Sequence, residues 1–339
     1  MSPVLLAAET ASDDRFVSFD VPAWAWIALV AFLTVLLIAD LVLVHRTEHE
    51  VTLREAAIES AVWISIGTAF TLVMLFWHGG GAAGEYLSGY LIEKSLSVDN
   101  VFVWAVIFSL FGVPPKYQFR VLFWGIFGAL VLRAIFIFAG VALIETFEWV
   151  LYIFGALLLY SAWKIAKHDE AQVNPDHNPA LKLVRRFVPS TNEYDGQKLF
   201  TKQNGKRLAT PLFAVLILIE TTDVVFAVDS IPAVLAVSRE PFIVFSSNAF
   251  AILGLRALYF LLGGMAGRFR YLNLGLGFIL AFVGIKMLLA AGFDYHFPTW
   301  ASLGVIAVAL TVAIVASLRA PVPGPGPDDV ADKMPDPKV

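Results

Sequence analysis

Two stretches of the chain match each other: EKSLSVDN at residues 93–100 and DVVFAVDS at residues 223–230. In each, an acidic residue is followed six positions later by the aspartate of a Val-Asp pair, and then by a small amide or hydroxyl residue. Both stretches lie inside apolar runs that are long enough to cross a bilayer. Because acidic side chains near the middle of a membrane are costly and are usually functional, the repeated pattern indicates a functional site.

The composition is that of a membrane protein. Of the 339 residues, 58% are hydrophobic and 15% are charged, and the mean hydropathy is +0.75. These values are typical of polytopic membrane proteins and not of soluble domains. The net charge of -4, without a basic stripe, gives no indication of nucleic-acid binding. The chain has no cysteine, which excludes disulfides, iron–sulfur clusters and thiolate metal sites.

The apolar runs predict an all-α fold with about nine membrane-spanning helices. Lys and Arg are concentrated in alternate connections, which predicts an inner (plasma) membrane protein with its N-terminus outside and its C-terminus in the cytoplasm. The predicted parts are an extracytoplasmic segment (1–22), a transmembrane domain (23–319) and a disordered Pro-rich cytoplasmic tail (320–339). The nine predicted spans are residues 23–45, 59–78, 86–111, 119–143, 148–165, 208–237, 243–264, 270–291 and 299–318.

The connection at 166–207 is the longest and the most basic, and it is therefore predicted to be cytoplasmic. Near its end, Asn204 and Gly205 lie between two short mixed runs, which predicts a β-hairpin with a type I′ turn. Its positive charge fits a solvated cytoplasmic loop, and the alternative is a surface for lipid headgroups.

The repeat extends beyond the two opening stretches. The sequence GALVLRA at 128–134 resembles AILGLRA at 251–257, so that Arg133 corresponds to Arg256. A glycine and a lysine nine residues apart then recur in each copy. Repeat A (86–165) and repeat B (208–291) each contain three predicted spans, an odd number, so the second copy must enter the membrane from the opposite side. This is the inverted-repeat plan of secondary transporters, whose substrate lies near the midplane between the copies.

The polar residues of the repeated stretches offer only oxygen atoms as ligands. Such a set favours hard divalent cations such as Mn²⁺, Mg²⁺ or Ca²⁺. Soft metals are disfavoured because all six histidines lie at predicted span ends or in connections. The candidate ligands are Glu93, Asp99, Asn100, Glu220, Asp223, Asp229 and Ser230.

Helical geometry limits how these ligands can converge. At about 100° per residue, Glu93 and Asp99 lie roughly 120° apart on a helix. We therefore expect broken or unwound helices at about 95–100 and 228–233, where serines and Pro232 can disturb the hydrogen-bond ladder.

The negative charge of the five acids among the candidate ligands must also be balanced. Five clustered acids exceed the charge of one divalent ion, so either some of them are protonated or Arg133 and Arg256 pair with them when no ion is bound, and protons are a candidate coupling ion. Asp40 fits two interpretations, an interfacial acid or a functional one.

Four motifs of the chain resemble the TerC family of integral membrane proteins, and in particular its Alx-like branch: IEKSLSVDN (92–100), RVLFWGI (120–126), ETTDVVFAVDSIPA (220–233) and AILGLRALY (251–259). The resemblance implies export of Mn²⁺ from the cytoplasm and kinship with LysE-type exporters. It also implies that the family's membrane acids correspond to Glu93, Asp99, Glu220, Asp223 and Asp229.

The hypothesis from the sequence is a secondary transporter that exports Mn²⁺, with Ca²⁺ or Mg²⁺ as less favoured ions, in exchange for protons or driven by the membrane potential. The alternative is a membrane scaffold for tellurium-resistance or envelope-stress complexes. No HExxH motif or nucleophile–base pair suggests an enzyme. The expected partners are the ion and the lipid bilayer, with no separate cofactor, and the oligomeric state is left open.

Overall fold

Long apolar helices make up most of the described chain. The computed structural model describes residues 16–40, 51–147, 149–167, 188–191, 193–203, 206–262, 271–293 and 297–320. In chain order the elements are α1 (Ala23–Ala39), α2 (Leu53–Leu110), α3 (Pro115–Thr146), α4 (Val150–Ala166), β1 (Phe200–Gln203), β2 (Lys206–Ala209), α5 (Pro211–Leu235), α6 (Pro241–Leu253), α7 (Leu255–Leu262), α8 (Leu272–Phe293) and α9 (Thr299–Arg319).

Within these residues, six helical segments are long and apolar enough to cross a membrane, α6 and α7 together forming one of them. Helices α1 and α4 are also apolar, but each has only 17 residues. Exposed Phe, Trp and Ile side chains on the outer helix faces suit contact with lipid. The prediction of a helical, polytopic membrane protein is therefore confirmed, while the number of nine crossings and the inverted order stay predictions.

Helix α2 is much longer than one crossing requires. Its 58 residues would extend about 87 Å if straight, against about 30 Å of hydrocarbon. It begins with a capping box between Thr52 and Glu55 and is interrupted at Gly79, where φ is 83°. Only glycine adopts this conformation without a steric penalty. The expected connection between the second and third predicted spans is thus a single residue, which leaves a first arm (53–78) and a second arm (80–110).

The predicted breaks at 95–100 and 228–233 are wrong. Both segments are helical, within α2 and α5. The Ser95 hydroxyl donates to the carbonyl oxygen of Leu91 without opening the helix. Pro232 cannot donate to the carbonyl oxygen of Val228, but α5 continues through it to Leu235.

The most extensive contact between two helices is that of α4 with α8. A Cβ atom at residue 284 would lie 3.0 Å from the carbonyl oxygen of Gly155, and one at residue 155 would lie 2.7 Å from Leu288. Small residues allow membrane helices to approach closely in this way. Helix α5 packs against α2, α3 and α4, which brings its polar residues into the interior of the bundle.

The predicted hairpin is confirmed. Strands β1 and β2 are antiparallel, with Phe200 opposite Ala209 and Gln203 opposite Lys206. The turn at 204–205 lies outside the described residues. Before the hairpin, Asp195 accepts hydrogen bonds from Thr201 (2.7 Å) and Lys198 (3.0 Å), which lower the pKa of its carboxyl group.

Candidate functional site

The polar centre of the bundle is built around Arg133 of α3, whose side chain is almost completely buried. Its Nε and Nη2 atoms donate to the two carboxylate oxygens of Asp223 at 3.3 and 3.0 Å. Its Nη1 atom pairs with Glu93 and donates to the Ser230 hydroxyl at 3.2 Å. One guanidinium therefore joins side chains from α2, α3 and α5.

Spacing explains why these residues meet. Glu93 and Asn100 are seven positions apart on α2, and so are Asp223 and Ser230 on α5. Seven residues are close to two full helical turns, so each pair lies on one helix face. Asn100 completes the centre by donating to Asp223 at 3.4 Å. The two pairs occupy corresponding positions of the two repeats.

The Val-Asp aspartates take other positions. Asp229 accepts a hydrogen bond from Ser161 of α4 at 2.7 Å, and Asp99 is partly exposed. Because they are six positions from the first acid, straight helices carry them away from the Arg133 face. The helices therefore do not bend to gather both acids. Instead, the residue after each aspartate reaches the centre.

Glu220 lies beside the centre, one helical turn before Asp223. Its carboxylate fills the space that a side chain at Gly128 of α3 would occupy. Its Oε2 atom is buried and has no hydrogen-bond partner in the described part of the chain. Of the seven predicted ligands, Glu93, Asp223 and Ser230 contact Arg133. Asn100 joins them through Asp223, and Glu220 packs against the same helix as Arg133.

The centre retains unused capacity to accept a cation. Glu93 and Asp223 carry two negative charges when ionised and Arg133 carries one positive charge, which leaves one negative charge. Glu93 Oε2 and Asn100 Oδ1 are buried without partners among the described residues, and such orphaned acceptors call for an ion or water. In the same residues, however, no group of three or more Asp, Glu or His side chains is arranged as a metal site. Arg133 occupies the position between the carboxylates.

Arg256 does not join this centre, so its predicted pairing with the acids of the repeated stretches is wrong. It pairs with Asp40 at the end of α1 and with Glu59 of α2. Its guanidinium carbon lies 4.4 Å from the ring centre of Phe119. Asp40 is therefore a buried ion-pair partner, and the two corresponding arginines serve different sites.

Three contacts were missed by sequence reasoning. Glu59 is the first residue of a predicted span. The signal that could have marked it is an acid followed by a serine inside an apolar run. Ser161 had no repeat counterpart to mark it. Gly128 lies in the repeated GALVLRA motif five residues before Arg133, and a small residue inside such a membrane motif indicates a close helix contact.

Gly128→Ala is expected to displace the Glu220 carboxylate, since the new methyl group would overlap that carboxylate, and to lower several-fold any ion transport that depends on Glu220. Gly125→Ala is the matched control. Its methyl group would lie on the same helix face but would meet apolar side chains, Ile219 at 2.9 Å and Leu216 at 4.0 Å. Transport assays on both variants at equal expression would test the role of Glu220. Equal effects of the two substitutions would contradict it.

A charged centre buried between apolar helices defines an integral membrane protein with a polar interior. The chain belongs to the TerC family, because residues 78–321 match the family model described as "Integral membrane protein TerC family". The resemblance found in the sequence motifs is thereby confirmed.

The chain is similar to curated proteins over 70% to 96% of their lengths. It is 47% identical to the uncharacterized membrane protein STKORF319 of Myxococcus xanthus over 91% of this chain and 96% of that protein. It is 46% identical to Alx of Escherichia coli K12, named as a membrane-bound redox modulator, over 83% and 90%. It is 42% identical to the thylakoid membrane protein TERC of Arabidopsis thaliana over 80% and 70%. No solved structure matches the chain.

Proposed function

We propose that this protein is a secondary transporter that exports Mn²⁺ from the cytoplasm through the Arg133 centre. The observation that carries the proposal is a pair of buried carboxylates from different repeats, Glu93 and Asp223, on one arginine. In this centre Glu93 Oε2 and Asn100 Oδ1 have no hydrogen-bond partner among the described residues. Buried acids of this kind in membrane proteins mark ion pathways. The oxygen-only ligand set favours a hard divalent ion, and Mn²⁺ is the ion that membership of the family suggests.

Arg133 acts in this proposal as a tethered counter-ion. It contacts both carboxylates, so an incoming ion must displace it from at least one of them. While no ion is bound, the guanidinium keeps the centre close to neutral, which lowers the cost of holding carboxylates in a low-dielectric interior. The empty protein can then return to its starting conformation without a cation. Exchange for protons supplies the driving force, and the membrane potential adds to it when the protons that enter carry more positive charge than the ion that leaves.

The proposed architecture has nine crossings, an inverted repeat (86–165 and 208–291), an external N-terminus and a cytoplasmic C-terminus in the inner membrane. Two facts support the repeat. Glu93 with Asn100 and Asp223 with Ser230 correspond in the repeat and approach the same arginine. Access would alternate between the two sides of the membrane around this shared point.

The name of the Alx relative suggests a redox role for that protein. A thiol–disulfide mechanism within this chain is excluded because the chain has no cysteine. A redox effect of this protein would therefore have to arise through what it transports or binds.

A second candidate is a scaffold without transport activity, in which the buried ion pairs only hold the bundle together. The observation that favours it is that Arg133 already ties three helices to one another. Under this reading, substitution of the acids changes stability but leaves cellular metal content unaltered.

Manganese sensitivity tests the proposed function. A bacterial strain without its own manganese exporters should be protected by the wild-type protein, and protection should fall by at least about tenfold with Glu93→Gln or Asp223→Asn, since each variant removes one carboxylate of the Arg133 centre. Cellular Mn²⁺, Ca²⁺ and Mg²⁺ contents should be measured together. Full protection by both variants would contradict a role for these carboxylates, and no protection by the wild type would contradict the export function.

A further inference from the structure

The cluster of Asp40, Glu59 and Arg256 is separate from the Arg133 centre. Phe119, which lies against Arg256, is on the same helix as Arg133 but 14 positions earlier, which corresponds to about 21 Å along the helix axis. Asp40 caps the end of α1 and Glu59 lies two turns into α2. The cluster therefore occupies a different depth, close to the end of the bundle where α1 ends and α2 begins.

The two arginines are bound in different ways. Arg133 uses three nitrogen atoms for its partners, whereas Arg256 uses only Nη2, which receives one oxygen from Asp40 and one from Glu59. The Nε and Nη1 atoms of Arg256 are buried without hydrogen-bond partners in the described chain. Two carboxylate oxygens thus converge on a single cationic atom.

One carboxylate oxygen of this cluster also lacks a hydrogen-bond donor among the described residues. Glu59 is only 9% exposed, and its Oε2 atom has no partner among the described residues. Two carboxylates against one guanidinium leave an excess negative charge, and the Phe119 ring face adds an attraction for a cation. A buried carboxylate oxygen without a donor is costly unless something satisfies it.

We propose that Asp40 and Glu59 form a second binding site for a hard divalent cation, which the ion enters by displacing Nη2 of Arg256. Two carboxylates are a sufficient protein contribution for an ion that keeps part of its water shell. The inference rests on the proposed function, since the ion is the same. At the predicted cytoplasmic end of the bundle, the site would load Mn²⁺ before it passes to the Arg133 centre.

The test is Mn²⁺ binding to the purified full-length protein. Wild type should bind two Mn²⁺ ions per chain. The neutral triple variant Asp40→Asn/Glu59→Gln/Arg256→Gln should bind one, and Asp223→Asn should also bind one, because each loses a different site. The triple variant removes all three charges together, so it leaves no unpaired buried ion that would prevent folding.

Arg256→Gln provides a second, opposite readout. Removal of the competing guanidinium should tighten Mn²⁺ binding at this cluster by at least about tenfold, and Mn²⁺ should raise the Tm of this variant more than that of wild type. Two ions per chain in the triple variant, or no effect of Mn²⁺ on Arg256→Gln, would overturn the second site. A single ion in wild type that is lost only in Asp223→Asn would overturn it while leaving the proposed function intact. If the triple variant loses an ion but Asp223→Asn exports normally, the central site fails and the second site stands.

Discussion

Arg133→Gln is expected to lower the stability of the metal-free protein by about 3 to 5 kcal/mol, the usual effect of breaking a buried ion pair from one side. The substitution leaves Glu93 and Asp223 together in the interior without the charge that balances them. Mn²⁺ should restore much of this loss if it binds the same carboxylates, since a ligand at 100 times its Kd contributes about 2.7 kcal/mol. Thermal unfolding of the purified protein, with and without Mn²⁺, measures both effects.

Arg120→Gln is the matched control for this experiment. Arg120 is on the same helix but is exposed, so its loss should change the Tm little and should not create a response to Mn²⁺. Arg133→Lys should fall between the two, because lysine keeps the charge but loses the planar fork that holds Asp223 by two bonds. If Arg133→Gln is unstable and Mn²⁺ does not restore its stability, Arg133 has only a structural role, and the result favours the scaffold function.

The sequence predicted the features that depend on local pattern. Apolar runs located the helices, and Asn204-Gly205 located the hairpin. The repeat correctly indicated that Arg133 pairs with buried acids, because a buried charge in an apolar helix needs a partner. Each of these conclusions needs only composition, periodicity or elementary charge balance.

The predictions that were wrong depend on how the helices face one another. Periodicity shows that Glu93 and Asn100, seven residues apart, share a helix face. The six-residue spacing between the two acids of each repeated stretch instead predicts bends, which the helices do not have. The repeat predicted equivalent roles for Arg133 and Arg256, yet α1 and α2 supply Arg256 with other acids. Asp40 and Glu59 lie before the first repeat, so no internal symmetry could indicate their contacts.

Asp223→Asn is expected to abolish manganese export while the protein remains folded. The substitution leaves Arg133 and Glu93 as a neutral one-to-one pair, and the asparagine oxygen can still accept a hydrogen bond from the guanidinium. Stability should therefore change by no more than about 1 to 2 kcal/mol. The ion, in contrast, loses the only charged ligand that α5 contributes to the Arg133 contacts among the described residues.

This variant separates the two candidate functions because they predict opposite results. If the acids only hold the bundle together, a protein with Asp223→Asn that folds normally should act normally. If they carry the ion, the same folded protein should take up no Mn²⁺ into inverted membrane vesicles, while Asp195→Asn, an exposed acid of the hairpin region, should transport at the wild-type rate. Normal uptake by Asp223→Asn would show that Asp223 does not bind the transported ion. It would also contradict the proposal that the two repeats meet at a shared binding site.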